Sequence, residues 1–229
     1  MALDIATRQV VYPESDGQPI ADNTKQFRWI TIIKGGLDTL FQDRDDVFVA
    51  GDLLWYPVEG ATTIRRAPDA MVVSGRPKGD RGSYLQWLEG DIAPQIVFEV
   101  LSPGNTLREF AQKLDFYDTY GVEEYYLYDP DKNDLTGWQR QGVRLIPIEQ
   151  PNGWQSPLLG LRFQLDSETL HIIRPDGQEF LDYVELERQR VAALAAAEQA
   201  NQRAEQANLR AERLAKLLRE QGLDPDTIA

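Results

Sequence analysis

Two carboxylates stand where apolar side chains would be expected. Asp69 lies in APDAMVVSG (67–75) and Glu99 in PQIVFEVLSPGNT (94–106), both apolar, β-branched runs. A buried lone carboxylate costs several kcal/mol, so each needs a hydrogen-bond donor, a cation or a metal. Magnesium takes oxygen ligands and keeps several waters, so two carboxylates and a backbone carbonyl suffice on the protein side. Asp69 and Glu99, on neighbouring strands, can supply the carboxylates, and Val100 the carbonyl. A cation there makes a bound water more acidic and polarises a phosphoryl oxygen, the chemistry of phosphodiester hydrolysis. A lysine normally completes such a site two residues after the strand acid, but that position is Leu101. Lys113, on the following helix, is the expected replacement. Glu109 is four residues before Lys113, on the same helix face, and the bland alternative is a surface ion pair worth about 0.3–0.5 kcal/mol.

These residues need a sheet and two helices to hold them. Phe27, Ile30, Ile33, Leu37, Leu40 and Phe41 recur at helical spacing, predicting a helix from Thr24 to about Arg44, capped by Asn23 or Thr24 and weakened by Gly35-Gly36. VFVAGDLLWYPV (47–58) and APDAMVVSG predict two strands, and QIVFEVL (95–101) a central strand covered on both faces. Asn105 or Thr106 caps a second helix running to about Tyr120, with Leu107, Phe110, Leu114 and Tyr117 as its stripe and Gly121 as its left-handed terminator. EEYYLYDP, DLTGWQRQ, VRLIPIEQ and TLHIIRPDGQEF predict further strands. The glycine-rich loop between the second and third strands carries Arg76, Lys78 and Arg81, cations that either meet phosphates or, more commonly, are solvated.

Composition narrows the chemistry. There is no cysteine, which removes thiolate nucleophiles and cysteine-ligated zinc, and His171 is the single histidine. Neither G-x-S-x-G nor HExxH occurs, and His171 sits in TLHIIRP as an ordinary sheet residue. The formal charge of -13 opposes nonspecific polyanion binding. No apolar run reaches membrane-spanning length and the N-terminus lacks the pattern of a secretory signal, so a cytoplasmic protein without membrane contact is expected.

After Phe180 the composition turns to Ala, Glu, Gln, Arg and Leu. AEQANQR (197–203), AEQANLR (204–210) and AERLAKL (211–217) form a seven-residue repeat. An alanine-rich seam buries little area per heptad, so a homodimer formed through this helix is the leading expectation, with docking onto its own domain and a partly ordered low-complexity tail as the alternatives. The expected organisation is an arm over 1–23, a domain over 24–181, a coiled-coil helix over 182–221 and a tail over 222–229.

The segments R-x-PDAMVV, VFEVLSPGNT and QKLDFYDTYGVEEYYLYDP, with the terminal Ala-Glu-Gln heptads, resemble the Uma-two family, known as a domain of unknown function within the PD-(D/E)XK restriction-endonuclease-like superfamily. The resemblance covers roughly residues 20–180, an ordinary domain length. It implies an α/β (α+β) fold with a helix, three strands, a helix and a strand in a mixed sheet, followed by extra antiparallel strands. It further implies Asp69 and Glu99 as ligands of Mg²⁺, with Mn²⁺ as a substitute, and Lys113 as the relocated lysine. Glu109 stands where many relatives carry an aspartate. Some superfamily members add an acid from the first helix; this chain offers Asp38 and Asp43 there, and Glu14, Asp22 or Asp52 nearby.

Two functions follow. One is a Mg²⁺-dependent endonuclease acting on DNA, and the other is a noncatalytic interaction module that recruits partners through its helix. A phosphodiesterase acting on RNA or a small nucleotide is a third, weaker possibility.

Overall fold

The computed structural model describes residues 10–222, so the beginning of the expected arm and almost all of the expected tail lie outside the described residues. The chain divides into two units, 1–181 and 182–229.

In the first unit, α1 (Thr24–Leu40) begins where the Asn23 side chain accepts from the Gln26 amide at 2.9 Å. It ends at Leu40, short of Arg44, because the acidic stretch DRDD has nothing to bury and opposes the negative end of the helix dipole. Its buried face is rotated from the expected one: Trp29, Ile30, Ile33 and Leu37 are inside, and Phe27 is 49% exposed. Gly36 costs about 1 kcal/mol of helix propensity relative to alanine. A Cβ there would come within 2.2 Å of the Phe180 ring, so glycine is what lets that ring seat.

The strand expected over 47–58 is broken at Gly51-Asp52, where Asp52 adopts φ 50°. What remains is β1 (Val47–Ala50) and β2 (Trp55–Tyr56). Next come β3 (Ala70–Ser74), β4 (Tyr84–Leu85) with a 3₁₀ turn over Gln86–Glu89, and β5 (Ile96–Val100). β4 pairs with β2 in a short parallel ribbon, so the basic loop contains structure that its glycines hid. Arg76 and Arg81 both bind Glu89, at 2.8 and 2.6 Å, and the Lys78 ammonium donates to the Gln42 carbonyl. The phosphate role considered for these cations is therefore replaced by a structural one.

The helix α2 (Leu107–Thr119) connects β5 to β6 (Glu124–Asp129), the parallel pair of the sheet. Thr106 and Glu109 form a reciprocal capping box at its start, and Gly121, at φ 89°, follows its end. Leu107, expected on the apolar stripe, is 88% exposed, since it precedes the point where the helix meets the sheet. β7 (Asp134–Gln141) and β8 (Arg144–Pro147) complete a six-stranded mixed sheet in the order β1-β3-β5-β6-β7-β8. The outer edge at β8 is blunted, because Asp118 accepts from the Leu145 amide and Pro147 has no N–H. β9 (Arg162–Leu165) and β10 (Leu170–Ile173) form an antiparallel pair, with His171 between Asp166 and Glu179. A mixed α/β fold with extra antiparallel strands and a long C-terminal helix is thus the fold class the sequence predicts.

Two apolar cores cover the sheet. Ala70, Val72, Ile96, Phe98 and Val100 pack with Trp29, Ile33 and Leu37 of α1. Met71, Val73 and Val97 pack with Phe116 and Tyr117 of α2. By the alternation of a strand, Glu99 and Leu101 share the α2 face with Val97.

The second unit is the helix α3 (Tyr183–Glu220), started by Asp182, whose side chain accepts from the Glu185 amide. No residue of this helix is buried. Among the described residues, no helix is long and apolar enough to cross a membrane.

Candidate active site

Strand register brings the two acids together. β3 and β5 run antiparallel with Ala70 opposite Phe98 and Met71 opposite Val97. One further step in that register sets Asp69 opposite Glu99 on the same face of the sheet. The Val100 amide donates to Asp69 Oδ2 at 2.6 Å, fixing the carboxylate against the end of β5. Glu99 is 2% exposed, whereas Asp69 keeps contact with the cavity.

The helix α2 supplies the partners of Glu99. Lys113 and Tyr117, four residues apart, lie on one face. Lys113 Nζ donates to Glu99 Oε2 at 2.7 Å, and the Tyr117 hydroxyl donates to Oε1. Burial disfavours the ammonium, but the Glu99 and Asp69 charges outweigh it and raise the Lys113 pKa. Lys113 is therefore a charged donor at neutral pH, not a base. Burial and the neighbouring Glu99 charge push the Asp69 carboxyl well above its ordinary value. The buried Tyr125 hydroxyl, which burial and these same acids also push up, has no hydrogen-bond partner among the described residues.

The helix α1 contributes from the other side. The buried Gln26 donates its amide Nε2 to the Val100 carbonyl at 2.8 Å and accepts from the Asp22 amide through Oε1. Gln26 and Tyr117 were not marked by the sequence as site residues. A glutamine in a first helical turn looks solvent-facing, and a tyrosine on an apolar stripe looks like core.

A cavity of about 380 Å³ opens over this arrangement. Asp69, Lys113 and Gln26 line it, together with Asp52, Arg66 and the arm residues Asp16 and Asp22. Burial, then Asp16 and Glu99, raise the Asp52 pKa. Asp22 accepts from the Ser102 hydroxyl at 2.5 Å. Glu109 reaches the rim but spends its carboxylate on the Thr106 amide, so the ion pair considered for it with Lys113 does not form. Glu14 packs against Gly82 outside the cavity, Asp38 pairs with Lys34, and Asp43 is exposed.

The donor set fits a hard divalent cation with few protein ligands. Asp69 and Glu99 present carboxylate oxygens with lone pairs beyond those their donors use, and the Val100 carbonyl retains one beside Gln26. Among the described residues no group of three or more His, Asp or Glu side chains gathers at metal-binding distance. A cation at the pair would therefore draw most of its ligands from water.

The site thus lies on a mixed sheet with helices on both faces, its acidic pair on the adjacent strands β3 and β5. Residues 16–170 match the Uma2 family, described as "Putative restriction endonuclease", and the chain belongs to that family. Among solved structures, a protein from Anabaena variabilis ATCC 29413, described as a "putative nuclease belonging to DUF820", is similar at 15% identity and a TM-score of 0.43. That likeness covers 59% of this chain and 72% of the other. No curated protein matches the sequence.

Proposed function

We propose that this protein is a Mg²⁺-dependent endonuclease that hydrolyses DNA phosphodiester bonds, with Mn²⁺ able to substitute. The observation that carries this reading is the opposed pair Asp69 and Glu99 with the Lys113 ammonium on Glu99. Asp69, Glu99 and the Val100 carbonyl would hold the cation, which when bound lowers the pKa of a water and polarises the phosphate. The chain's own residues orient and neutralise. The Val100 amide holds Asp69, Tyr117 holds Glu99, and Gln26 holds the Val100 carbonyl. Lys113 keeps its proton and places positive charge where negative charge grows on the phosphoryl oxygens.

The test is nicking of supercoiled plasmid by the purified chain. Nicking is expected with Mg²⁺ or Mn²⁺ and should stop on addition of EDTA. Absence of cleavage with either ion would remove the nuclease reading.

A second reading has its own observation. Glu99 already receives donors on both oxygens, and Gln26 already occupies the Val100 carbonyl. Glu99 and the Val100 carbonyl are thus already served within the protein, as in a nuclease-fold interaction module that recruits partners through α3. Divalent-ion calorimetry separates the two, because this module would bind no cation at the acidic pair.

In either case the heptads of the helix expected over 182–221 would pair two copies, and a two-fold axis would match the two antiparallel strands of DNA. Leu186 and Leu214 lie on one heptad position and are exposed. The full chain is expected to sediment as a dimer, and the Leu186→Asp/Leu214→Asp variant as a monomer. Wild-type protein sedimenting as a monomer would discard this pairing.

A further inference from the structure

We infer that Arg66 forms an anion site for a substrate phosphate beside the acidic pair. Arg66 lies three residues before Asp69 and lines the same cavity as Lys113. Its backbone is fixed by reciprocal hydrogen bonds with Trp55: the Trp55 amide donates to the Arg66 carbonyl at 2.8 Å, and the Arg66 amide donates back at 3.2 Å. The guanidinium sits over the Phe116 ring at 5.5 Å from its centroid, and one terminal nitrogen donates to the Arg65 carbonyl at 3.0 Å. Stacking and one backbone bond hold the fork while leaving most of its five donors unused.

The pairing pattern points to an external anion. Asp16, Asp22, Asp52, Asp69 and Glu109 line the cavity, yet among the described residues Arg66 makes no ion pair. The Lys113 ammonium lines the same cavity. Two cations on one cavity, one of them without a carboxylate partner, can receive a phosphate, which a planar guanidinium binds through two parallel hydrogen bonds. Arg66 would grip phosphate oxygens while Asp69 and Glu99 serve the cation side.

This inference rests on the endonuclease reading for its substrate but is measured without cleavage. Thymidine 3′,5′-bisphosphate serves as the probe, with Ca²⁺ present, in calorimetry on the full chain, Arg66→Gln and Arg66→Lys. Binding is expected to weaken about tenfold or more in Arg66→Gln, with Arg66→Lys intermediate because an ammonium supplies charge without the fork. For a short DNA duplex, the slope of log affinity against log salt should fall by about one in Arg66→Gln, the loss of one phosphate contact. A residue that only packed on Phe116 would change the melting temperature and leave that slope alone. Arg66→Lys keeps both charge and stem, so it provides the comparison if the glutamine variant folds poorly.

Unchanged bisphosphate affinity and salt slope in the variants would overturn the assignment. Wild-type protein that binds the bisphosphate but never nicks plasmid would leave the anion site standing and end the nuclease reading. Wild-type nicking with unaltered binding in the variants would end the anion site alone. A wild type that neither binds nor nicks would end both.

Discussion

Glu99→Gln should lower plasmid nicking by about a thousandfold or more, beyond the roughly 10–100-fold typical of a residue that merely supports a metal ligand. The fold should survive. Glu99 is buried opposite Asp69, whose carboxyl is pushed up first by burial and then by the Glu99 charge. The amide keeps the side chain's shape and removes one of two repelling charges. Its oxygen can accept from Lys113 or Tyr117, and its NH₂ can donate to Asp69. Thermal melting close to wild type, with activity lost, is the expected pair of results. Nicking that continues undiminished in Glu99→Gln would show that any cleavage occurs elsewhere.

Lys113→Met should reduce kcat by roughly 10²–10³-fold, about what one preorganised donor to a developing charge supplies. It should also destabilise the protein, by up to about 3 kcal/mol, since removing one partner leaves the other's buried charge uncompensated. A fall in rate could therefore be blamed on unfolding, and a second substitution resolves this. Leu101 lies two residues beyond Glu99 on the same strand face, and it lines a small space together with Glu99 and Lys113. A lysine at position 101 approaches Glu99 from the strand instead of the helix. Leu101→Lys combined with Lys113→Met should recover about tenfold or more of the lost rate, a coupling of the size found between residues in contact. Recovery of melting temperature without recovery of rate would make Lys113 a structural counter-ion only.

The reach of sequence reasoning depends on whether a residue violates its surroundings. Asp69 and Glu99 stood out because a carboxylate in a β-branched run is costly, and Lys113 because the helix that starts beside the end of the Glu99 strand can lay its QKLDFY segment over the sheet. The facing of Asp69 and Glu99 was not visible, since it depends on the β3–β5 register and a one-residue slip would turn one acid to the α1 face. Arg76 and Arg81 looked available for phosphates because nothing local pairs with them; Glu89, carried in by the 3₁₀ turn, does. Arg66 was read only as part of a motif, since neither its stacking on Phe116 nor its place at the cavity follows from spacing. The break at Gly51-Asp52 escaped notice because aspartate rarely adopts positive φ, although a single such residue ends a strand.

The most direct test of a shared cation between the strand acids is anomalous diffraction from a Mn²⁺-soaked crystal. A peak within coordination distance of both Asp69 and Glu99, next to the Val100 carbonyl and absent from Glu99→Gln crystals, is the predicted result. Density at saturating Mn²⁺ only elsewhere on the protein, with the Lys113–Glu99–Tyr117 contacts unchanged, would contradict it.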